Sequence, residues 1–242
     1  MKLVKLNAIN STNTYLKELA KETGTSNWTV VSAEFQTSGR GQVQTKWMSD
    51  KGKNLIFSVL IEFKALKIKN QFYLNCAISL GVFEALKKYN LPQLMIKWPN
   101  DIMAVNKKIG GILIENSLKS DSIYKTVVGI GLNINQELFS KELPKAISMK
   151  NLLNREFDRD EILFRIVESI QVQIKLLQEN KFELLHRNYE LQLFKKDKVC
   201  MYEENEIKFL GKINGVSNQG LLIIEKENQV IKEYNFKEVK FL

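Results

Sequence analysis

The segment from residue 54 to residue 63, with the sequence NLIFSVLIEF, constrains the fold more than any other part of the chain. Its residues are almost all apolar and do not alternate with polar ones. Such a run is typical of a β-strand that is covered on both faces. We therefore expect a central strand between packed layers. The chain is long enough for such a core, since 44% of its 242 residues are hydrophobic.

Helical and strand patterns follow each other along the chain. Helical spacing of apolar residues covers 71–89 and 158–180, and a further helix is expected over 181–190. Ser11 and Thr12 are suitable caps for a short helix near the N-terminus. Strand patterns cover 2–8, 28–35, 94–98, 102–105, 108–115 and 124–134, with turns expected at 106–107 and 117–122.

The character of the sequence changes after Leu193. The rest of the chain consists of short apolar-rich runs separated by Glu-Asn and Ser-Asn-Gln-Gly turns. This regular spacing of strand and turn signals predicts a small antiparallel barrel. We therefore predict two domains, which cover 1–193 and 194–242.

Charge and cysteine usage narrow the class of protein. The net charge of +9 favours an anionic partner, although the lysines are scattered in the way of ordinary surface charge. Cys76 and Cys200 lie far apart, no secretory signal is present, and no apolar run reaches the roughly 18 residues of a membrane span. These features predict a cytoplasmic protein without a membrane partner. The single histidine, His186, excludes His-rich zinc sites and argues against a Ser-His-Asp triad.

The stretch QTSGRGQVQTKW, residues 36–47, combines backbone freedom with a cation. Gly39 and Gly41 can adopt conformations closed to other residues and can pass close to a ligand. Arg40 between them presents a planar fork that suits phosphate or carboxylate. The spacing matches neither a Walker A loop nor a dinucleotide fingerprint. A ligand-binding loop and a structural turn both remain open.

Lys97 ends an apolar strand and is followed by Pro99, Asn100 and Asp101, which favour a tight turn. A lysine held beside a core is costly unless an anion meets it. That anion is either a ligand or a structural partner such as Asp101 or Glu115.

Glycines interrupt two neighbouring strands. Gly110 and Gly111 lie in KIGGILIE, and Gly129 and Gly131 lie in VVGIGLNIN. Glycine inside a strand marks a bulge or a place where a ligand or another part of the backbone comes close. Two such strands predict a sheet face cleared for a ligand, with a bulge as the alternative.

Taken in order, these motifs resemble the biotin–protein ligase family. The matching pieces are S-T-N at 11–13, Q-T-S-G-R-G at 36–41, K-W-P-N-D at 97–101, K-I-G-G-I-L-I-E at 108–115 and G-I-G-L-N-I-N at 129–135. The resemblance implies an α+β fold, with a mixed-sheet catalytic domain of the class II synthetase-like type and a C-terminal SH3-like barrel. It also implies an ATP-dependent enzyme that forms biotinyl-5′-AMP and transfers biotin to a lysine of a carboxyl carrier domain.

The resemblance also assigns residues and partners. It implies that Lys97 and Arg40 are catalytic. Biotin binding is implied for Ser11, Thr12, Asn13, Gln36, Arg40, Gly41, Gln42, Lys97, Gly110, Gly111 and Gly131, and ATP binding for Arg40, Gln42, Trp47, Lys97, Asn100 and Asn133. The expected substrates are biotin and ATP with Mg²⁺, with no metal site built from protein residues. A homodimer is compatible with the family. The position of Ser11 near the N-terminus leads us to expect no DNA-binding domain and no DNA partner.

The loop departs from the family pattern. Many members have arginine at the positions of Gln42 and Thr45, and glycine at the position of Gln44. Loss of these cations removes charge-assisted contacts, so we expect the adenylate to be retained less tightly.

Two other readings are weighed against this one. Lipoate–protein ligases use the same acyl-adenylate chemistry, but they carry a histidine-aspartate motif after a glycine-rich stretch that this chain lacks. A nucleic-acid-binding module would explain the +9 charge, but it needs exposed aromatics among basic residues. The aromatics of the C-terminal part mostly alternate as core residues do.

Overall fold

The computed structural model describes residues 1–22, 24–42 and 45–242. The helices are α1 (Thr12–Leu19), α2 (Gln71–Lys87), α3 (Met149–Leu153), α4 (Arg159–Gln178) and α5 (Phe182–Leu191). The strands are β1 (Lys2–Leu6), β2 (Thr29–Ala33), β3 (Leu55–Lys67), β4 (Met95–Lys97), β5 (Asp101–Ala104), β6 (Lys107–Lys119), β7 (Ser122–Leu132), β8 (Val199–Glu204), β9 (Ile207–Val216), β10 (Leu222–Lys226), β11 (Ile231–Tyr234) and β12 (Lys240–Phe241).

The first seven strands form one mixed sheet in the order β1-β2-β3-β7-β6-β5-β4. Only β1 and β2 are parallel, and the other neighbours are antiparallel. The apolar segment predicted as a central strand is β3, which lies between β2 and β7. It extends beyond residue 63 to Lys67 because its pairing with β7 resumes after an irregularity between Glu62 and Leu66.

The two faces of the sheet are covered unequally. Phe57, Val59 and Ile61 of β3 share one core with the buried residues of α2 and α4. On the opposite face, Leu60 packs with Leu16 of α1 in a much smaller cluster. Because α1 is short, it covers only part of that face and leaves the rest open.

The predicted elements are confirmed with two adjustments. The second turn is tighter than expected, since β6 runs to Lys119 and β7 starts at Ser122. The short helix α3 was not predicted, although Ser148 and Asn151 form a capping box at its start.

The last five strands form a separate antiparallel sheet in the order β11-β10-β9-β8-β12. This arrangement agrees with the expected C-terminal SH3-like barrel. Tyr202 and Tyr234 are fully buried inside it, as their alternation predicted. The segment before the barrel is bridged from Leu193 to Ile96, and the barrel itself accepts, at the Gly220 carbonyl, a 2.9 Å hydrogen bond from Trp98 Nε1. The boundary at residue 193 stays a prediction.

Gly81 of α2 lies against Ile170 of α4, and we expect Gly81→Ala to destabilise the fold. A Cβ at this position would lie 2.6 Å from Ile170 Cγ1 and 2.7 Å from its Cα. Since a backbone atom cannot rotate away, the free energy of unfolding should fall by about 1–3 kcal/mol in spite of alanine's better helix propensity. Urea denaturation measures this. Ser79→Ala is the control, because the buried Ser79 hydroxyl has no hydrogen-bond partner. Equal stability of Gly81→Ala and the natural protein would contradict the packing argument.

Candidate active site

A cavity of about 530 Å³ occupies the open part of the sheet face beside α1. Its walls come from the sheet, from the loop after β2 and from the segment that leads into β12. Most of the residues assigned to ligands from the sequence line it: Ser11, Thr12, Asn13, Gln36, Arg40, Gly41, Gln42, Trp47, Lys97, Asn100, Gly111 and Gly131. The structure therefore brings together motifs as far apart in the chain as Ser11 and Gly131.

The register of the sheet explains why these motifs meet. One row of neighbouring positions crosses five strands and consists of Lys97, Asp101, Gly111, Gly131 and Ile56. All five line the cavity. Because side chains alternate between faces, the positions two residues further along β6, β7 and β3 face the same way.

Gly110 and Asn133 do not lie on the cavity wall. Gly110 is on the other face of β6, where a Cβ would clash with Leu132. Asn133 is 4% exposed, and its amide donates 3.1 Å to the carbonyl of Ile147. Their positions support structural roles in the packing of β6 and β7, and ligand contact at either residue stays a prediction.

A buried serine organises one polar part of the site. Ser58 of β3 is fully buried, and its hydroxyl lies 2.7 Å from Thr12 Oγ1 and 2.5 Å from Asn13 Oδ1. The backbone N–H and hydroxyl of Thr12 both point to Gln36 Oε1, at 2.7 and 3.1 Å. These bonds fix the S-T-N motif and Gln36 as one unit. Sequence reasoning missed Ser58, although a serine in an otherwise apolar strand was a visible signal.

Lys97 is a cation at the cavity whose pKa is shifted from its ordinary value. Burial lowers its pKa, and the nearby Lys108 lowers it further, while Asp101 acts in the opposite direction. Its ammonium lies 4.8 Å from the ring of Phe241 in β12. Neither Asp101 nor Glu115 forms an ion pair with it, since Asp101 pairs with Lys108 at 2.6 Å and Glu115 pairs with Lys17 and Arg40.

Lys108 is a second cation on the wall that the sequence analysis did not assign. It stands at the start of the K-I-G-G-I-L-I-E motif and lines the same cavity. Its Nζ lies 5.9 Å from the centre of the Trp47 ring. Lys97 and Lys108 therefore line one cavity, and of these two lysines Lys108 is the one with a carboxylate partner within ion-pair distance.

Trp47 packs directly on the cleared part of the sheet. A Cβ on Gly131 would lie 2.5 Å from Trp47 Cε2, and a Cβ on Gly111 would lie 3.5 Å from Cζ3. The Nε1 atom of Trp47 is buried without a hydrogen-bond partner. The strand glycines therefore make room for the indole of the loop, which forms part of the cavity wall.

The described parts of the loop between β2 and β3, 36–42 and 45–47, lie over this face. Gly41 N–H donates 2.7 Å to the carbonyl of Thr45, and Thr45 Oγ1 donates 2.8 Å to the carbonyl of Gln42. A Cβ on Gly39 would clash with the carbonyl of Trp47, so glycine is required there. The departure from the family pattern at Gln44 lies outside the described residues.

The C-terminal part contributes side chains that the sequence could not place. Phe236, Val239, Lys240 and Phe241 line the cavity together with the large sheet. Trp98 lies against the same cavity, but it is only 5% exposed and packs in the core.

The described ranges contain no group of three or more His, Cys, Asp or Glu side chains that could hold a metal ion. No helix of the described residues is both long and apolar enough to cross a membrane.

Sequence and structure comparisons show the family of the chain. The profile of the biotin/lipoate A/B protein ligase family matches residues 6–133, which contain every assigned ligand-binding motif except the tail of the last one. The chain belongs to this family.

Among its relatives are proteins named for biotin transfer. The Bifunctional ligase/repressor BirA of Bacillus spizizenii is 27% identical over 239 residues, which are 96% of this chain and 72% of BirA. The biotin–[acetyl-CoA-carboxylase] ligase of Mycobacterium tuberculosis is 29% identical over 68% of this chain and 60% of its own length. The structure of the biotin protein ligase of Aquifex aeolicus in complex with biotin and ATP is 30% identical in sequence and has a TM-score of 0.80. The match covers 100% of this chain and 99% of the Aquifex chain. The resemblance to biotin–protein ligases and the assignment as a ligase are thereby confirmed.

Proposed function

We propose that this protein activates biotin with ATP and transfers it to a lysine of a carboxyl carrier domain. The observation that carries the proposal is one cavity that combines a fixed polar unit, an apolar wall and the ammonium groups of Lys97 and Lys108. Biotin has the matching chemistry: a neutral polar ring system, an apolar chain and a carboxylate. A ligand of this kind needs an apolar slot with a few aimed hydrogen bonds.

The first half-reaction joins two anions. A carboxylate oxygen of biotin attacks the α-phosphorus of ATP, and pyrophosphate leaves with its electron pair. Lys97 provides a partly buried positive charge at the cavity, and Lys108 provides a second one beside it. Fixed cations in a site with little water stabilise charge that builds up during the attack. Arg40 supplies a planar donor group from the loop that covers the same cavity.

The second half-reaction uses the same charges. A neutral lysine amine of the carrier attacks the acyl carbon of biotinyl-AMP, the carbonyl oxygen gains negative charge, and AMP leaves as an amide forms. The described parts of the glycine loop, 36–42 and 45–47, shield the mixed anhydride from water until the carrier arrives. Mg²⁺, which offsets charge on the pyrophosphate, comes with ATP. Cytoplasmic location and a homodimer stay predictions.

The test uses purified protein with Mg²⁺ and ATP. Biotin should start pyrophosphate release, and lipoate at the same concentration should not. Addition of a biotin carboxyl carrier domain should then give one biotin per domain, located by mass spectrometry at a single lysine. A carrier with arginine at that lysine should remain unmodified. Pyrophosphate release with lipoate alone would reassign the substrate, and no release with either acid would refute the proposal.

A further inference from the structure

Glu115 of β6 collects three donors from three different parts of the chain. Its Oε1 accepts from Lys17 Nζ at 2.7 Å, and its Oε2 accepts from Asn13 Nδ2 at 2.7 Å and from an Arg40 guanidinium nitrogen at 3.0 Å. The Glu115 side chain is 18% exposed, against 44% for Arg40. Burial opposes its ionisation, but the hydrogen bonds from Lys17 and Asn13 and the nearby charges lower the pKa of Glu115 overall.

The position of Glu115 follows from the register of the sheet. It lies two residues beyond Leu113 on β6, on the same face as the cavity, and it is paired with Val127 of β7. Val127 belongs to the small cluster under α1. Glu115 does not line the 530 Å³ cavity itself, whereas Asn13, Arg40 and Leu113 do. Its carboxylate therefore stands behind the wall that these residues form.

Asn13 is held by this carboxylate in one orientation. Its Oδ1 accepts from Ser58, and a Cβ on Gly129 would clash with that same oxygen. Its Nδ2 is directed at Glu115 and, at 3.5 Å, at the carbonyl of Leu113. The same carboxylate oxygen, Oε2, thus binds both the S-T-N motif and the cation of the glycine loop.

We propose that Glu115 is a positioning residue that fixes Arg40 over the cavity and links it to the S-T-N motif. This rests on the proposed function for its catalytic consequence, but the structural part concerns the loop alone. A displacement of about 1 Å in a substrate-positioning group is enough to lower a rate about a hundredfold. A single carboxylate behind the wall is therefore able to set the efficiency of the site without touching substrate.

The decisive variant is Glu115→Gln. The glutamine has nearly the same shape, and its oxygen can still accept from Asn13, but the negative charge opposite Arg40 is lost. Trypsin cleavage after Lys46 in the ligand-free protein reports loop position without any reference to activity. Cleavage should become faster by about tenfold in Glu115→Gln, because opening of the loop no longer breaks a charge-assisted bond. Glu62→Gln, which removes a partner of Lys125 at 3.1 Å on the neighbouring strand, is the matched control.

A double-mutant cycle separates positioning from general damage. Arg40→Gln should speed the cleavage after Lys46 as Glu115→Gln does, and the double variant should be no faster than Arg40→Gln within about twofold. In biotin-dependent pyrophosphate release, Glu115→Gln should lower kcat/KM about tenfold or more, again without a further loss in the Arg40→Gln background. The unfolding midpoints without ligand confirm that the variants are folded.

Three outcomes overturn the proposal: unchanged cleavage in Glu115→Gln, additive effects in the cycle, or higher activity in Glu115→Gln. The last would show that Glu115 withholds Arg40 from the site. If the natural protein releases no pyrophosphate with biotin, the proposed function fails. The cleavage cycle still decides whether Glu115 positions the loop.

Discussion

The Lys97→Met variant should lose biotin-dependent pyrophosphate release by about a hundredfold to a thousandfold, as expected when a group that stabilises developing charge is removed. Methionine keeps the apolar stem of the side chain beside Phe241, so the fold should be retained. Lys108→Met tests the second cation. Because the Lys108 charge is already opposed by Asp101 at 2.6 Å, we expect a smaller loss for that variant. Stopped assays of radiolabelled pyrophosphate measure both.

The pH dependence of the natural protein's activity gives a second test of the role of Lys97. Burial lowers the pKa of Lys97 from the ordinary value of 10.5, so its positive charge disappears as the pH rises through the lowered value. Activity should therefore decline on the alkaline side before an exposed lysine would titrate. Lys125→Met, a lysine outside the cavity, should keep the natural profile. Near-normal pyrophosphate release in Lys97→Met would contradict the catalytic role of Lys97 and would assign that role to Lys108.

The sequence predicted the strands and helices that have local signals and the motifs that meet in the cavity. The motifs could be assigned to ligands because each is contiguous in the chain and together they resemble those of biotin–protein ligases. The roles of Ser58 and Glu115 could not be assigned in the same way. Each role depends on which side chains of α1 and of the glycine loop come into contact with the sheet. Those contacts are fixed by strand register and by packing between segments that are distant in the chain.

The same limit applies to the C-terminal part. Its alternating aromatics predicted a barrel with a core, and Tyr202 and Tyr234 are buried as expected. Phe236 and Phe241 follow the same pattern along the chain, yet both reach the cavity. Phe236 and Phe241 differ from Tyr202 and Tyr234 only in how the packing of the barrel against the large sheet places them. The looser hold on the adenylate, expected from Gln42, also stays a prediction, although Gln42 lies on the cavity wall.

Gly131→Ala should impair ATP use more than any other change of one methyl group in the cavity. The added Cβ would lie 2.5 Å from Cε2 and 2.8 Å from Cδ2 and Cζ2 of Trp47. An indole is rigid, so the ring and the attached loop must move outwards. Since Trp47 is assigned to ATP, the KM for ATP should rise about tenfold or more, and kcat should fall with it.

Gly111→Ala is the matched control for this change. It lies in the same cross-strand row and faces the same cavity, but its new Cβ would first meet the end of the Lys108 side chain, at 3.2 Å from Nζ. A flexible lysine can turn aside, so the KM for ATP should change by no more than about threefold.

A double-mutant cycle with Trp47 tests the cause. In a Trp47→Ala background the rise in the KM for ATP caused by Gly131→Ala should largely disappear, because the obstructing ring is gone. Steady-state kinetics of the four proteins in this cycle measure the coupling. A full cost of Gly131→Ala without Trp47 would mean that ATP itself, and not the indole, needs the space above this glycine.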